Sequence, residues 1–403
     1  MNSSSGNGSV VDIPDWIATI QRSANEVYFS DRFTIEGLEI RLNSVDPSLV
    51  KWVLKYLQPL SLASSSTKKE ECTFFCLYSD DIVLEASRYF MIDDNIEFTG
   101  IGKDRTLLKC AKISGNIIAY SNSDGGILWV ADFDAKIIFV IFSSRTKMPA
   151  LDFSRTVRDV VTAYLVDQGW ALYHAGAVDT TDGALMIVGN PGAGKTSLIL
   201  ALLRDGARYI ANEQLFVRAD GDTFKVLGYP LAIAVGLGTA LQFPGLRVLA
   251  ESPDPLLYPR RRYSARRIAK TPKDEWPSLD DKLQLLPEEL GTYVGTPGVV
   301  AGGSLSAVVV PRVSKTLVTP KAEILNQPVA WNILSDNLLE PLNNKSRFAW
   351  SGMVVQGHHT DDDESSIEGL SNMAVIRFDF SLPAPDSTAP YTNSLLASLQ
   401  AKI

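Results

Sequence analysis

The apolar pattern is clearest between residues 153 and 214. From Phe153 onward Val157, Val160, Val161, Tyr164 and Leu165 recur at three- and four-residue spacing, which predicts a helix ending at Gly169. Trp170 to Val178 reads as a strand. Thr180-Thr181-Asp182-Gly183 supplies turn chemistry before a second apolar run of the buried-strand type, Ala184-Leu185-Met186-Ile187-Val188, so the two strands are expected to pair as a hairpin. Ser197 to Arg204 then carries Leu198, Leu202 and Leu203 on one helical face, with Gly206 as the stop. A further strand, Arg208-Tyr209-Ile210-Ala211, ends in Asn212-Glu213-Gln214.

Either side of this stretch the pattern is coarser. A helix is expected around Pro47 to Leu57, followed by several short strands. The clearest pair is Ile127 to Ala131 with Lys136 to Phe142, joined across Asp132 to Ala135, which predicts an antiparallel sheet. Ser64 to Glu71 reads as a solvated loop, and Leu305 to Val310 as a strand. Gly357 to Ser366, with His358, His359, Asp361, Asp362, Asp363 and Glu364, reads as an exposed acidic loop rather than a metal site, because consecutive ligands on a loop seldom converge without a fixed scaffold.

Length and composition narrow the class. A chain of 403 residues, 45% hydrophobic and 21% charged, is expected to be globular and to divide into two domains with a small appendage. Its net charge of −8 argues against binding nucleic acid through the overall field. Cys72, Cys76 and Cys110 lack the paired spacing of a zinc site and read as free thiols. The polar start, Met1 to Gly8, lacks the basic-then-apolar order of a secretory signal, and no apolar run approaches the ~20 residues of a membrane span. A soluble cytoplasmic protein that does not associate with membranes is the expectation.

The chemistry centres on Gly189-Asn190-Pro191-Gly192-Ala193-Gly194-Lys195-Thr196, followed by Ser197. Glycines at these positions let the backbone curl so that successive N–H groups face phosphate oxygens. Lys195 is long enough to reach the β- and γ-phosphates, and the Thr196 hydroxyl is suited to Mg²⁺. The strand before the loop and the helix after it are the context this motif requires, and the helix N-terminus adds its own partial positive charge. No Asn-Lys-X-Asp guanine-reading segment occurs, since Asn343-Asn344-Lys345-Ser346 does not qualify, so ATP is the expected nucleotide.

Three further groups bear on that loop. If the strand ending in Asn212 and Glu213 neighbours the phosphate-loop strand, it brings a carboxylate beside the γ-phosphate, to ligate Mg²⁺ or accept a hydroxyl proton. His174 lies within an apolar strand, where it is either a satisfied core residue or a group able to titrate near neutrality. Residues 252 to 282 are rich in Pro, Arg, Lys and Tyr, and Arg260, Arg261, Arg262, Arg266 and Arg267 within them form either a solvated surface or an anion-binding lid that meets phosphate or an acidic substrate.

The order of these segments resembles the HPr kinase/phosphorylase-like kinases, relatives of the phosphoenolpyruvate carboxykinase-type nucleotide fold. Tyr173-His174-Ala175-Gly176-Ala177-Val178, the loop at 189 to 196 and Ile210-Ala211-Asn212-Glu213 stand where the family has its histidine strand, phosphate loop and Val-Ala-Asp-Asp segment. The likeness is good over about 153 to 217 and loose to about 345, through Asp281-Lys282-Leu283-Gln284-Leu285 and Val308 to Arg312. It implies an α/β fold: a P-loop kinase domain with a mixed central sheet at 151–350, an α+β domain at 1–150 for substrate recognition or oligomerisation, and a C-terminal segment at 351–403 packing on the kinase domain.

It also implies an ATP- and Mg²⁺-dependent kinase acting on a hydroxyl of a peptide or a small serine-like acceptor, as in the family's peptide-tailoring serine kinases. Lys195 would neutralise charge, Thr196 and Glu213 would hold Mg²⁺, and Glu213 or His174 would take the acceptor proton. The family often assembles, which leaves a homo-oligomer open. One position departs from the pattern: the family's first aspartate, assigned as base, is Asn212 here, and asparagine cannot take a proton. That keeps alive a second reading, a nucleotide-binding regulatory protein with little or no phosphotransfer.

Overall fold

The computed structural model describes residues 14–61, 70–92, 97–101, 106–122, 126–229, 231–251, 268, 270–314, 320–339, 353–354 and 368–381. It is mixed α/β, and by its contacts the chain parts into two compact units between Tyr164 and Leu165, with Tyr56 to Ser61 belonging to the second unit.

The first unit opens with α1 (Asp15–Ala24) and the hairpin of β1 (Phe29–Ile35) and β2 (Leu38–Ser44), then α2 (Pro47–Ser61), β3 (Glu70–Tyr78) and α3 (Asp80–Ile92). A meander follows: β4 (Glu97–Ile101), β5 (Thr106–Ser114), β6 (Ile117–Asn122), β7 (Ile127–Asp132) and β8 (Ile137–Phe142), leading to α4 (Pro149–Asp167). The hairpin expected across Asp132 to Ala135 is present, with Asp132 opposite Ile137. The sheet, in the order β1-β2-β3-β8-β7-β6-β5-β4, is mixed rather than antiparallel. The reason is the helical return through α2, which brings β3 back parallel to β2, after which β8 also joins β3 in parallel. Ile17, Ile20, Val83, Phe90, Leu128 and Ile141 share one core beneath α1 and α3. Glu70 and Glu71, assigned to a solvated loop, begin β3 and pair with Lys136 and Arg41; residues 64–69 of that stretch lie outside the described residues.

In the second unit β9 (Ala171–Tyr173), β10 (Ala175–Thr180), β11 (Gly183–Val188), α5 (Lys195–Arg204), β12 (Arg208–Ala211), β13 (Leu215–Asp220) and β14 (Thr223–Gly228) come in succession. After them come β15 (Ile233–Gly236), α6 (Leu237–Ala240), α7 (Pro244–Glu251), β16 (Lys282–Leu285), α8 (Leu290–Tyr293), β17 (Gly302–Val313), β18 (Lys321–Ile324), α9 (Gln327–Asn337) and β19 (Val375–Phe380). Strands pair in the order β12-β10-β11-β17-β14-β13-β9, with β19 parallel to β17 and β18 beside β19. Ala184 to Val188 is buried throughout. That follows from its place in the sheet, between antiparallel β10 and parallel β17 with cores on both faces.

The strand expected from Trp170 to Val178 is broken at His174, whose N–H donates to the Asn337 carbonyl at 2.7 Å. The break has a topological cause. β9 pairs with β13, and β10 pairs with β12, at opposite ends of the strand order. The chain therefore crosses from one end of the order to the other twice, once through His174 and once through Asn212, Glu213 and Gln214. These two crossings lie side by side and make a corner, as in sheets whose strands switch partners through a bend.

Leu198 to Leu203 are all buried, so α5 is not one-sided as the sequence pattern predicts. It is enclosed by the sheet on one side and by Phe243, Leu246, Trp276 and Leu283 on the other. Its end is a hydrogen-bonded stop at Gly206, with Gly206 N–H to Leu203 and Ala207 N–H to Leu202. Among the described residues no helix is long and apolar enough to cross a membrane.

Candidate functional site

The register of three strands assembles the site. In the β10–β11 hairpin Ala175 is opposite Val188, so His174 and Gly189, the next residue on each strand, sit at the same end of the pair. Between β10 and β12 Ala177 is opposite Ala211, which brings the segment after Ala211 toward that end as well. The strand bearing Asn212 and Glu213 is thus one removed from β11, with β10 between them, rather than its immediate neighbour. The carboxylate still reaches the site, because the bend at His174 lets Glu213 turn inward: His174 Nε2 is 3.4 Å from Glu213 Oε2.

The phosphate loop is held on its far side by β17. Parallel pairing puts Ile187 opposite Val309, and β17 runs on to Val313, whose N–H donates to the Ala193 carbonyl at 3.3 Å. Gly194, the residue before α5, has φ +101°, and a Cβ there would stand 2.2 Å from Val313 Cγ2. Both the left-handed backbone and the space require glycine. A second glycine closes the other face: a Cβ on Gly176 would come within 2.3 Å of Ile199 Cδ1, 3.0 Å of the Ala211 oxygen and 3.1 Å of the Asn212 oxygen. Its absence lets α5 settle directly on β10.

Lys195 follows as the first residue of α5 and is only 8% exposed. Its Nζ donates to the Gly189 carbonyl at 2.5 Å, spanning the mouth of the loop. Burial pulls its ammonium below the ordinary lysine value, and the charge of Lys282 adds to this against the opposing pull of Glu213. For Glu213 burial alone would raise the carboxyl, but the hydrogen bond and charge of His174, with the charges of Lys282 and Lys195, outweigh it and hold the group below its ordinary value. Glu213 is therefore an ionised carboxylate at neutral pH. Thr196 is half-buried in the first turn of α5, and Ser197 Oγ shares a hydrogen bond of 2.9 Å with Thr239 Oγ1 of α6. Asn190, Pro191 and Gly192 form the exposed lip of the loop.

Asn212 is 4% exposed, and among the described residues neither its Oδ1 nor its Nδ2 has a hydrogen-bond partner. A buried amide in that state is costly, which makes it a group to be explained by the site rather than by packing. Lys282 is the residue that sequence reasoning passed over: it was part of a matched segment without a role, yet its charge acts on both Lys195 and Glu213. The only local signal for it is a lysine opening a short apolar strand after an aspartate.

Arg260, Arg261, Arg262, Arg266 and Arg267 lie outside the described residues, as do His358 and the acidic residues that follow it. Among the described residues no three His, Cys, Asp or Glu side chains cluster to hold a metal. Cys72 and Cys76 are buried free thiols and Cys110 is half-buried; burial pushes the Cys72 thiol up to about 12, far from any reactive thiolate.

As to nucleotide and metal, the donors are of the right kind. The loop has glycine where a Cβ cannot stand and a lysine across its mouth, and the Thr196 hydroxyl with the Glu213 carboxylate of the segment after β12 are hard oxygen donors, the type that Mg²⁺ prefers. Compared with family models and with curated proteins, the chain finds no match.

Proposed function

We propose that this chain is an ATP- and Mg²⁺-dependent phosphotransferase that passes the γ-phosphoryl group to a hydroxyl, of a serine or threonine in a peptide or of a small serine-like acceptor. The observation that carries this reading is the meeting of three groups at one end of β10 and β11: Lys195 across the loop, and the His174–Glu213 pair at 3.4 Å beside it. A bare nucleotide-binding loop needs the lysine. It does not need an ionised carboxylate and an imidazole at its mouth.

In the proposed reaction the backbone N–H groups of Asn190, Gly192, Ala193 and Gly194 and the side chain of Lys195 hold the phosphates, and the acceptor oxygen attacks the γ-phosphorus. A new oxygen–phosphorus bond forms as the bond to the β-phosphate bridging oxygen breaks, and the electron pair leaves on ADP. The acceptor proton passes to the His174–Glu213 pair. Thr196 and Glu213 would hold Mg²⁺, which when bound supplies charge neutralisation on the phosphate oxygens. A loose transition state depends chiefly on positioning and charge, so the lack of a proton acceptor at Asn212 is tolerable. A carboxylate held low, as Glu213 is, suits holding a cation better than taking a proton.

The finer identity belongs to the same proposal: an HPr-kinase-like P-loop domain preceded by an α+β domain that recognises the acceptor or joins subunits, acting in the cytoplasm. What supports it is the order of helix, histidine strand, hairpin, loop, helix and polar strand end, together with the likeness of residues 173–178, 189–196 and 210–213 to that family. A second reading rests on Asn212, whose amide stands in place of the family's base: the chain would bind nucleotide and change shape without appreciable turnover.

Incubation with ATP, Mg²⁺ and a library of serine- and threonine-containing peptides, read by mass spectrometry beside a Lys195→Ala control, separates the two. Phosphate transferred by the wild type alone supports the kinase. Tight ATP binding with no transfer supports the regulator, and no ATP binding at all overturns both.

A further inference from the structure

The sheet of the second unit ends on β18. This strand pairs antiparallel with β19 along one side, and among the described residues no strand lies along its other side. Leu325 N–H donates to the Val375 carbonyl at 2.8 Å, so Ile324 and Ile376 form a wide pair, and the bonds to β19 come from Lys321, Glu323 and Leu325. Alternation then turns the N–H and C=O groups of Ala322 and Ile324 outward, and among the described residues these outward groups have no partner. Lys321 and Glu323 are exposed, and Ile324 is 57% exposed.

A row of unpaired backbone groups beside an exposed isoleucine is a template for another strand. The order of charges decides which strand. A lone lysine on an edge keeps a second sheet away, but β18 carries Lys321 and Glu323 two residues apart on one face. Glu323 holds Arg377 only loosely, at 3.6 Å with its side chain 70% exposed. When β18 pairs antiparallel with a copy of itself about Ala322, Lys321 stands opposite Glu323 of the second copy, and the relation repeats by symmetry. The two Ala322 residues, whose groups point outward, then exchange both of their hydrogen bonds. A pairing centred on Lys321 would set lysine against lysine, and one centred on Glu323 would set glutamate against glutamate. Charge therefore selects one register.

We infer that the outer edge of β18 is an interface with a second copy of this chain, formed by antiparallel self-pairing centred on Ala322. The strand is short, so apolar surface beside it is covered as well. Ile324 lies on the face where Ala322 packs toward α5, while α9, which packs on the other face through Ala330 and Leu334, leaves Val329 and Trp331 exposed. β19 is parallel to β17, and β17 runs to the phosphate loop, so in the joined sheet the two loops open at opposite ends. Neither loop takes a residue from the other copy, and the inference is independent of what the loop binds.

The test is sedimentation of the full-length protein from about 1 to about 100 µM, with hydrogen exchange at the amides of Ala322 and Ile324. The wild type is expected to dimerise, with those amides protected as the dimer fills. Lys321→Glu or Glu323→Lys alone sets like charges opposite one another and should weaken the dimer about tenfold or more, while the double exchange Lys321→Glu with Glu323→Lys restores it. Ala322→Pro removes an outward N–H that β19 does not use and should give a monomer; a thermal melt of each variant establishes that it is folded. A wild type that stays monomeric throughout the range overturns the inference, and protection of the two amides only on adding an extended peptide would give the edge to a peptide instead. A dimer that neither single charge reversal weakens, or that the double exchange fails to restore, overturns it equally.

Discussion

His174 Nε2 faces Glu213 Oε2 at 3.4 Å because each belongs to a segment that carries the chain from one end of the strand order to the other. Neither residue is in a regular strand. The pair exists because β9–β10 and β12–β13 turn the same corner, and the β10–β11 register sets that corner at the mouth of the phosphate loop.

Removing the carboxylate is the first consequence to test. Glu213→Gln keeps the shape and the hydrogen-bonding reach but loses the charge that opposes Lys195 and Lys282. Phosphotransfer is expected to fall about 100-fold or more, with a smaller loss in Mg²⁺-dependent ATP affinity, measured by single-turnover transfer and by titration. The same variant has a pH signature. The Glu213 carboxyl is lower in the folded chain than in the unfolded one, so its stabilising contribution is present above the ordinary value of 4.5 and is lost as pH falls through the lowered value. Thermal melts between neutral pH and about pH 3 should lose less stability in Glu213→Gln than in wild type over that acid window.

Asp205, at the C-terminal end of α5, has the opposite sign. Burial raises its carboxyl from 3.8 to about 6 against the pull of Arg204, and among the described residues its Oδ2 has no hydrogen-bond partner. The position also faces the negative end of the helix dipole. The folded chain therefore binds this proton more tightly than the unfolded one. Stability from this group is full below 3.8 and declines as pH rises to about 6. Asp205→Asn is expected to stabilise the protein at neutral pH by about 1–2 kcal/mol and to flatten the melting temperature between those pH values.

Gly194→Ala tests the loop without touching any charge. At φ +101° an alanine is strained wherever its methyl points, and that methyl would also meet Val313 Cγ2. The expected loss is about 1–2 kcal/mol of stability and about tenfold or more in ATP affinity, by denaturant unfolding and titration. Adding Val313→Ala removes the contact but not the backbone strain, so it should restore only part of the affinity.

Asn212→Asp is expected to lower stability at neutral pH by about 1–3 kcal/mol, because it puts a carboxyl at a position only 4% exposed where the present amide has no partner among the described residues. A buried carboxyl is raised above its unfolded value, so the loss should diminish as pH is lowered toward 4. Melting curves at several pH values read this directly.

What the sequence made legible was local. The helix before Gly169, the hairpin across Thr180 to Gly183, the run 184–188 and the loop all follow from periodicity and turn residues within a few positions, and each stands where expected. Pairing between distant segments was not legible. The parallel joins of β3 to β2 and β8 depend on helical returns whose direction no strand pattern records. The break at His174 is set by which partners β9 and β10 choose, and those partners lie 29 to 46 residues downstream, from Asp179 opposite Arg208 to Ala171 opposite Val217.

The most direct test of the central claim is transfer of label from ATP carrying an isotopic γ-phosphate, with Mg²⁺ and a serine- and threonine-containing peptide library, for wild type, Lys195→Ala and Glu213→Gln side by side. The expected result is labelled phosphopeptide from the wild type, none from Lys195→Ala, and a strongly reduced yield from Glu213→Gln that still binds ATP. Wild-type protein that binds ATP yet leaves the label on it across the whole library, or a Glu213→Gln variant that transfers at the full rate, would contradict the phosphotransferase mechanism.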